Sequence, residues 1–250
     1  MELESVVRYA DEYLEVGSHP DYPTAMNGLQ VEGRTQVGHL CAAVDASELA
    51  IEEAVRRKAD LLIVHHGMFW EGLEPLTGRR YRKVARLIEG GVGLYSVHLP
   101  LDSHPEVGNC VLLARRLGLD LRGRFGSSHG VDLGWWGTLD TDRGTLQRTI
   151  ESVVDGPVRL IPGGTERIQT VGVVTGGAGS LLGDAVKAGL DAYVTGEGSH
   201  HTFVDAMEER LNLYYAGHYA TETFGVQALA QHLATSFGLT WEFIDLPSGL

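Results

Sequence analysis

Leu61-Leu62-Ile63-Val64-His65-His66-Gly67 is the stretch that decides the fold. Four apolar residues in a row, closed by two imidazoles and a glycine, read as a strand buried on both faces of a parallel sheet and ended by a loop. A second stretch of the same design follows, Tyr95-Ser96-Val97-His98-Leu99-Pro100-Leu101-Asp102. Open α/β sheets collect their ligands outside the carboxyl ends of such strands. Neighbouring strands of this kind bring His65, His66, His98 and Asp102 together, and three imidazoles with a carboxylate make a metal-binding set.

Outward from these strands the pattern alternates. Apolar positions at Leu3, Val6, Val7, Ala10, Tyr13 and Leu14 predict a helix over residues 2–16 ended by Gly17. A strand over Val37–Val44 leads through Asp45-Ala46-Ser47, a capping sequence, into a helix over Glu48–Lys58. Helices are expected again over Arg80–Glu89 and Val107–Leu117, on either side of the second strand. Strand and helix in turn are the signature of a parallel sheet flanked by helices.

The rhythm then returns. A shift of 131 residues sets Asp60 on Asp191, Leu61–Val64 beside Ala192–Thr195, and His66 beside Glu197. A shift of 120 residues sets Tyr95 on Tyr215, His98 on His218, Asp102 on Glu222 and Gly118-Leu119 on Gly238-Leu239. The change of offset leaves the first copy with 11 extra residues (131 minus 120), placed between Gly67 and Arg80. The fold class expected is α/β, a duplicated unit with mostly parallel sheets flanked by helices. Residues 1–123 form the first repeat, 124–166 a connecting strand-helix-strand segment, and 167–250 the second repeat, interlocked with the first.

Successive strand residues point to opposite faces, so His65 and His66 are better suited to two ions than to one. Two cations need carboxylates beside them, and Asp102 and Glu222 are the acids at hand. His218 ends the matching strand, four residues before Glu222, near a helix start that Thr221 is placed to cap. His65, His66, His98, Asp102, His218 and Glu222 thus form a six-ligand set for two divalent transition-metal ions. Imidazole and carboxylate donors without thiolate suit Zn, Fe, Mn, Co or Ni. Glu197, His200 and His201 follow the strand copied from the first His-His pair, where they are candidates for proton transfer or for supporting the ligands. The glycine loop Thr175–Ser180 has neither the Lys-Ser/Thr of a P-loop nor a full dinucleotide fingerprint, and reads as turn geometry.

Composition narrows the function classes. The chain has 250 residues with 43% hydrophobic and 21% charged, an ordinary soluble profile. Its net charge of −13 argues against a nucleic-acid partner, which needs basic groups to displace counterions. Cys41 and Cys110 cannot build a disulfide framework and read as buried thiols in a reducing compartment. No stretch reaches transmembrane length, and residues 1–16 are acidic rather than signal-like, so a cytoplasmic protein is expected.

The run His65-His66-Gly67-Met68-Phe69-Trp70, the segment His98-Leu99-Pro100-Leu101-Asp102, and Gly217-His218-Tyr219-Ala220-Thr221-Glu222 together resemble the NIF-three-like dinuclear metal protein family. Members of that family carry the name type 2 GTP cyclohydrolase I homologue. Asn27-Gly28-Leu29-Gln30-Val31 and Gly176-Gly177-Ala178-Gly179-Ser180 also match its pattern. The resemblance implies two intertwined α/β repeats, a two-metal site lined by both, and a toroidal homohexamer. Carried over, the ligands are His65, His66, Asp102, His218 and Glu222, with His98 as a sixth. The function expected is a metal-dependent hydrolase in which activated water attacks a C–N or phosphoester centre of a small-molecule substrate such as a nucleotide. The alternative is a non-catalytic metal-binding ring protein for storage, delivery or regulation.

Overall fold

A computed structural model of the chain describes residues 1–70, 72 and 74–249. The chain divides into two compact units, Met1–Leu101 with Gly225–Leu246, and a second made chiefly of Asp102–Phe224.

The first unit contains α1 (Leu3–Tyr13), β1 (Gly28–Val31), β2 (His39–Asp45), α2 (Glu48–Arg56), β3 (Leu61–His66), α3 (Gly78–Gly90) and β4 (Gly93–Ser96). The short α4 (Leu99–Ser103) carries the chain into the second unit. There follow α5 (Asn109–Arg116), β5 (Asp120–Ser128), β6 (Val131–Asp142), α6 (Arg143–Val154), β7 (Arg159–Pro162) and β8 (Arg167–Val173). Then come α7 (Leu182–Lys187), β9 (Ala192–Thr195), α8 (His201–Glu208) and β10 (Asn212–Tyr215). The long α9 (His218–Phe237) starts in the second unit and ends in the first, which β11 (Thr240–Phe243) completes.

The first sheet runs β1-β4-β3-β2-β11, parallel except for β1. Its centre is the quoted stretch: Leu61, Leu62, Ile63 and Val64 are all at most 1% exposed, as a strand with both faces covered requires. Each such side chain contributes about 1.5–3 kcal/mol by leaving water. Local signals set the flanking helices. Ser47 Oγ accepts the Ala50 N–H at the start of α2, and Gly91 ends α3 in the left-handed region. α1 stops at Tyr13, ahead of the expected Gly17, and Glu15 takes the left-handed conformation there. His232 of α9 stacks on Tyr13 with ring centroids 4.1 Å apart and bonds Tyr9 Oη at 2.9 Å.

The second sheet runs β5-β6-β8-β9-β10-β7 and is mixed: β8, β9 and β10 are parallel, the remaining pairings antiparallel. The segment 124–166 is part of this sheet and of its core, through β6, α6 and β7, with Leu146 and Ile150 packed among Ile168, Val171 and Tyr214. Cys41 and Cys110 are buried, and burial pushes their thiols up to about 11 and about 12, well away from thiolate reactivity.

The duplication extends to individual hydrogen bonds. Leu40 pairs with Leu61 and Val171 with Ala192, so the first two parallel strands of each copy keep one register. Asp60 Oδ2 accepts the N–H groups of Gly38 and His39; Asp191 Oδ2 accepts those of Gln169 and Thr170. The Val97 N–H donates to Val64 O and the Ala216 N–H to Thr195 O. The third strand corrects the alignment. Ile63 pairs with Tyr95 and Val194 with Tyr214, so the counterpart of Tyr95 is the buried Tyr214 and not Tyr215. One residue, Gly217 at φ +89°, is then added before His218. The extra length of the first copy falls between β3 and β4, although Glu71 and Leu73, inside the segment expected to hold it, lie outside the described residues.

Because the two aspartates tie one strand start to the next, Asp60→Ala and Asp191→Ala should each lower unfolding stability by about 1–3 kcal/mol, with unchanged urea m-values. Urea midpoints equal to wild type would show that these clamps carry no load.

Candidate metal centre

The carboxyl ends of the strands carry the chemistry. In the first unit, β3 ends on His65 and His66 and β4 is followed by His98. Their ring centroids are 4.7, 5.0 and 5.8 Å apart, and one nitrogen from each lies within 4.8 Å of the other two. His65 is fully buried.

The orientation of each ring is set from behind. His65 Nδ1 lies 3.0 Å from Val97 O, His66 Nδ1 2.9 Å from Asp45 Oδ1, and His98 Nδ1 2.9 Å from Asp21 Oδ1. Each partner is an oxygen that accepts, so in the neutral ring the proton sits on Nδ1 and Nε2 carries the lone pair. Metal-binding histidines are held in this way. Donors about 2.1 Å from one ion stand no more than roughly 4.2 Å apart, so small ring rotations bring this set onto a cation.

Asp45 ends β2, where it pairs with His66 across the parallel ladder. The capping residue of α2 is Ser47, which leaves Asp45 to the imidazole. Asp21 organises the other side. It accepts from His98 Nδ1, from Asn27 Nδ2 at 2.9 Å and from the Leu99 N–H at 3.1 Å, while Asn27 Oδ1 accepts the His98 N–H at 2.8 Å. Burial alone would raise the Asp21 carboxyl, but the hydrogen bond and charge of His98, with help from Asn27 and the Tyr22 N–H, hold it at about 2. After His66 the chain must turn without a side chain, because a Cβ on Gly67 would collide with Gln30 and Ser96. Gln30 Oε1 accepts the Met68 N–H at 2.8 Å and pins that turn.

In the second unit the candidate donors are Asp102, His218 and Glu222. Asp102 and Glu222 are 5% and 3% exposed, with carboxylate oxygens within 4.8 Å of each other. Like charges so close and so buried are costly unless a cation joins them. Asp102 Oδ1 accepts from Asn109 Nδ2 at 2.9 Å and from Thr175 Oγ1 at 3.2 Å. His218 is the first residue of α9, so Glu222 lies one turn on, with His218 Nε2 3.3 Å from Glu222 Oε1. His218 Nδ1 meets Glu197 Oε1 at 2.7 Å, the same backing that the first unit gives its imidazoles. Thr221 sits inside the first turn and does not cap it: its Oγ1 donates to Gly217 O and accepts the Gly176 N–H. The glycine loop after β8 fits closely around these groups. Gly176 has φ +68°, and a Cβ there would run into Glu222 Oε1.

His200 and His201 are exposed at the start of α8, and His201 lines a separate cleft with Ser180, Asp205 and Glu209. The structure therefore groups His65 with His66 and His98, and Asp102 with Glu222, His218 and Glu197, and leaves His200 and His201 on the surface. Asp45, Asp21, Asn27, Asn109 and Thr175 were not singled out from the sequence as site residues. Asp45 carried a signal, an acid at the carboxyl end of the strand next to His65-His66; Asp21, in an aperiodic loop, carried none.

The hydrogen bond to Glu222 raises His218, burial opposes it, and the charges of Glu222 and Glu197 add to the rise, which brings it to about 9. A raised histidine pKa stabilises the fold fully below the unfolded value near 6.5 and loses that contribution as pH climbs through about 9. Metal-free protein should therefore lose stability between those limits, and Glu222→Gln should flatten the dependence in thermal melts. NMR should find the His218 ring still protonated at neutral pH; an ordinary titration near 6.5 would contradict this electrostatic account.

The family model of Duf34/NIF3 (NGG1p interacting factor 3) matches residues 1–248. A Deinococcus radiodurans protein named GTP cyclohydrolase 1 type 2 homolog is 40% identical over 250 residues, covering 99% of this chain and 94% of that protein. A Pyrococcus horikoshii protein of the same name is 39% identical with both chains fully covered. Among solved structures, TTHA1606 from Thermus thermophilus superposes with a TM-score of 0.91 at 41% identity, and protein ybgI with 0.93 at 37%, each over 100% of both chains. With these relatives matched from end to end, the chain is a member of the Duf34/NIF3 family.

Proposed function

We propose that the protein binds a pair of divalent transition-metal cations and is a metal-dependent hydrolase. One observation carries the reading: His65, His66, His98 and His218 all have Nδ1 against an oxygen acceptor, so in every neutral ring Nε2 is the coordinating nitrogen. Structural histidines have no need of that uniformity. His65, His66 and His98 supply three imidazole donors, and Asp102, His218 and Glu222 supply two carboxylates and a fourth imidazole. The mixed N and O set suits Zn, Fe, Mn, Co or Ni.

Bound cations would supply Lewis acidity, lowering the pKa of water and offsetting charge on the attacked centre. The protein's own residues prepare for this. Asp102 and Glu222 bury two carboxyl groups close to one another, where a cation is favoured. Glu197, half exposed and hydrogen-bonded to His218, is placed to exchange a proton with solvent. The relatives' name supports hydrolysis of a C–N bond in a purine nucleotide as the first activity to test.

Protein purified without added metal should contain close to two transition-metal ions per chain by elemental analysis, with His66→Ala and Glu222→Ala each lowering the content. Asp45→Ala and Asp21→Ala keep every donor but release a ring, and should weaken metal binding by roughly 10–100-fold. A panel of nucleotides and phosphoesters, assayed with Mn, Fe, Zn and Co, should show turnover that His66→Ala abolishes. Metal uptake with no turnover on any substrate would favour the storage or delivery role.

A further inference from the structure

A cavity of about 310 Å³ beyond β3 is lined by Gly67, Met68 and Trp70, by Glu74, and by the α3 cations Arg79, Arg80 and Lys83. Its position ties it to the imidazole cluster. Trp70 stands edge-on to His98, with ring centroids 4.7 Å apart, and lies 6.1 Å from His66. The Trp70 Nε1–H is spent on Gly67 O, which fixes the indole as a wall of the cavity.

The charge around this cavity runs against the rest of the molecule. The chain carries a net −13, yet α3 bears Arg79, Arg80, Arg82, Lys83 and Arg86, with no acid before Glu89. Arg82 is neutralised by Glu48 and Arg80 by Glu74. The Arg79 and Lys83 side chains make no hydrogen bond or ion pair among the described residues. Lys83 is half buried, and its ammonium is depressed first by that burial and then by Arg79, against the smaller opposing charges of Glu48 and Asp45. Cations in the opening turns of a helix also oppose its dipole. The one acid in the lining, Glu74, is taken up by Arg80, which leaves Arg79 and Lys83 facing this space without an ion pair among the described residues.

The duplicated fold supplies an internal control. The helix that follows the corresponding strand in the second copy is α8, which has no Lys or Arg and carries Asp205 and Glu208. A basic helix after this strand is therefore no requirement of the scaffold. It belongs to the copy that has the added segment.

We propose that this cavity binds the phosphate or diphosphate group of a phosphorylated small-molecule substrate, through Arg79 and Lys83, beside the imidazole cluster. The proposal rests on the hydrolase reading for what is done to the substrate, but not for the binding itself. Arg presents a planar fork that matches phosphate oxygens, and Lys adds a point charge. An anion there would relieve the mutual repulsion of Arg79 and Lys83. It would also give an otherwise acidic protein a local means of attracting a negatively charged substrate.

The test uses the full chain stripped of metal by chelation, so that pyrophosphate cannot bind through a cation. Inorganic pyrophosphate and GTP should both bind in calorimetry, and guanosine at least tenfold more weakly than GTP. The double variant Arg79→Glu/Lys83→Glu should weaken pyrophosphate at least tenfold, whereas Arg86→Glu, on the same helix but outside the cavity, should leave it near wild type. Both positions have solvent access, and a wild-type melting curve confirms the fold. The proposal is overturned by an absence of pyrophosphate binding, by a double variant that binds as wild type does, or by an equal loss in Arg86→Glu. His66→Ala should retain pyrophosphate binding while losing metal. Thus a chain that takes no metal yet holds pyrophosphate through Arg79 and Lys83 would sink the hydrolase reading alone.

Discussion

The constraint behind this structure is that an imidazole can offer a metal only one nitrogen, and the other must be told where to point. Here that instruction comes from an oxygen behind each ring: Val97 O, Asp45, Asp21 and Glu197. The fold holds the first three in place. Val97 follows β4 in the ladder, Asp45 ends β2, and Asp21 is tied by Asn27 and the Leu99 amide. The buried strands are thus a means of fixing acceptor oxygens, and through them the Nε2 atoms of the rings. The packing of Leu61–Val64 and the direction of the His65 and His66 rings are parts of one structure.

Much of this could be read in the chain before its coordinates. The buried strand, the helices around it and the duplication follow from periodicity and from matched polar residues, because burial and strand register act on every residue of an element. The same sequence singled out His65, His66, His98 and His218 beside strand ends, and Asp102 and Glu222, which lie in the helices that follow. What escaped lay where one residue acts alone. Asp21 stands in a loop with no period, and its role depends on a contact with His98 far along the chain. Sequence matching alone misplaces the third strand by one residue, since Tyr214 and Tyr215 are adjacent and only burial separates them. Segment 124–166 looked like a connection because strand character does not reveal which sheet a strand will join.

The pair of buried acids in the second unit shows how a site can hold energy unfavourable to the apo fold. Asp102 gains two neutral donors, Asn109 and Thr175, and Glu222 gains His218. The neutral donors make the burial of Asp102 tolerable, and the protonated His218 offsets the charge of Glu222. For His218, the raised pKa means that a proton occupies Nε2 at neutral pH when no other cation is present. A cation binding there would have to displace that proton, so its affinity would depend on pH through the same carboxylates that favour its charge.

The two copies keep one plan but move its chemistry sideways by a strand. In the first, the acid stands at the end of β2, as Asp45, and its imidazole at the end of β3, as His66. In the second, Gly176 occupies the position of Asp45 and Glu197 that of His66, so the acid now follows the middle strand and its imidazole, His218, the third. The glycine is as informative as the acid it replaces. With φ +68° and no Cβ, Gly176 makes the space into which Glu222 projects from α9. Nitrogen donors dominate where the acid is kept behind the ring, and oxygen donors enter where its place has been cleared. A duplicated scaffold can in this way present two kinds of ligand set without altering the strands that carry them.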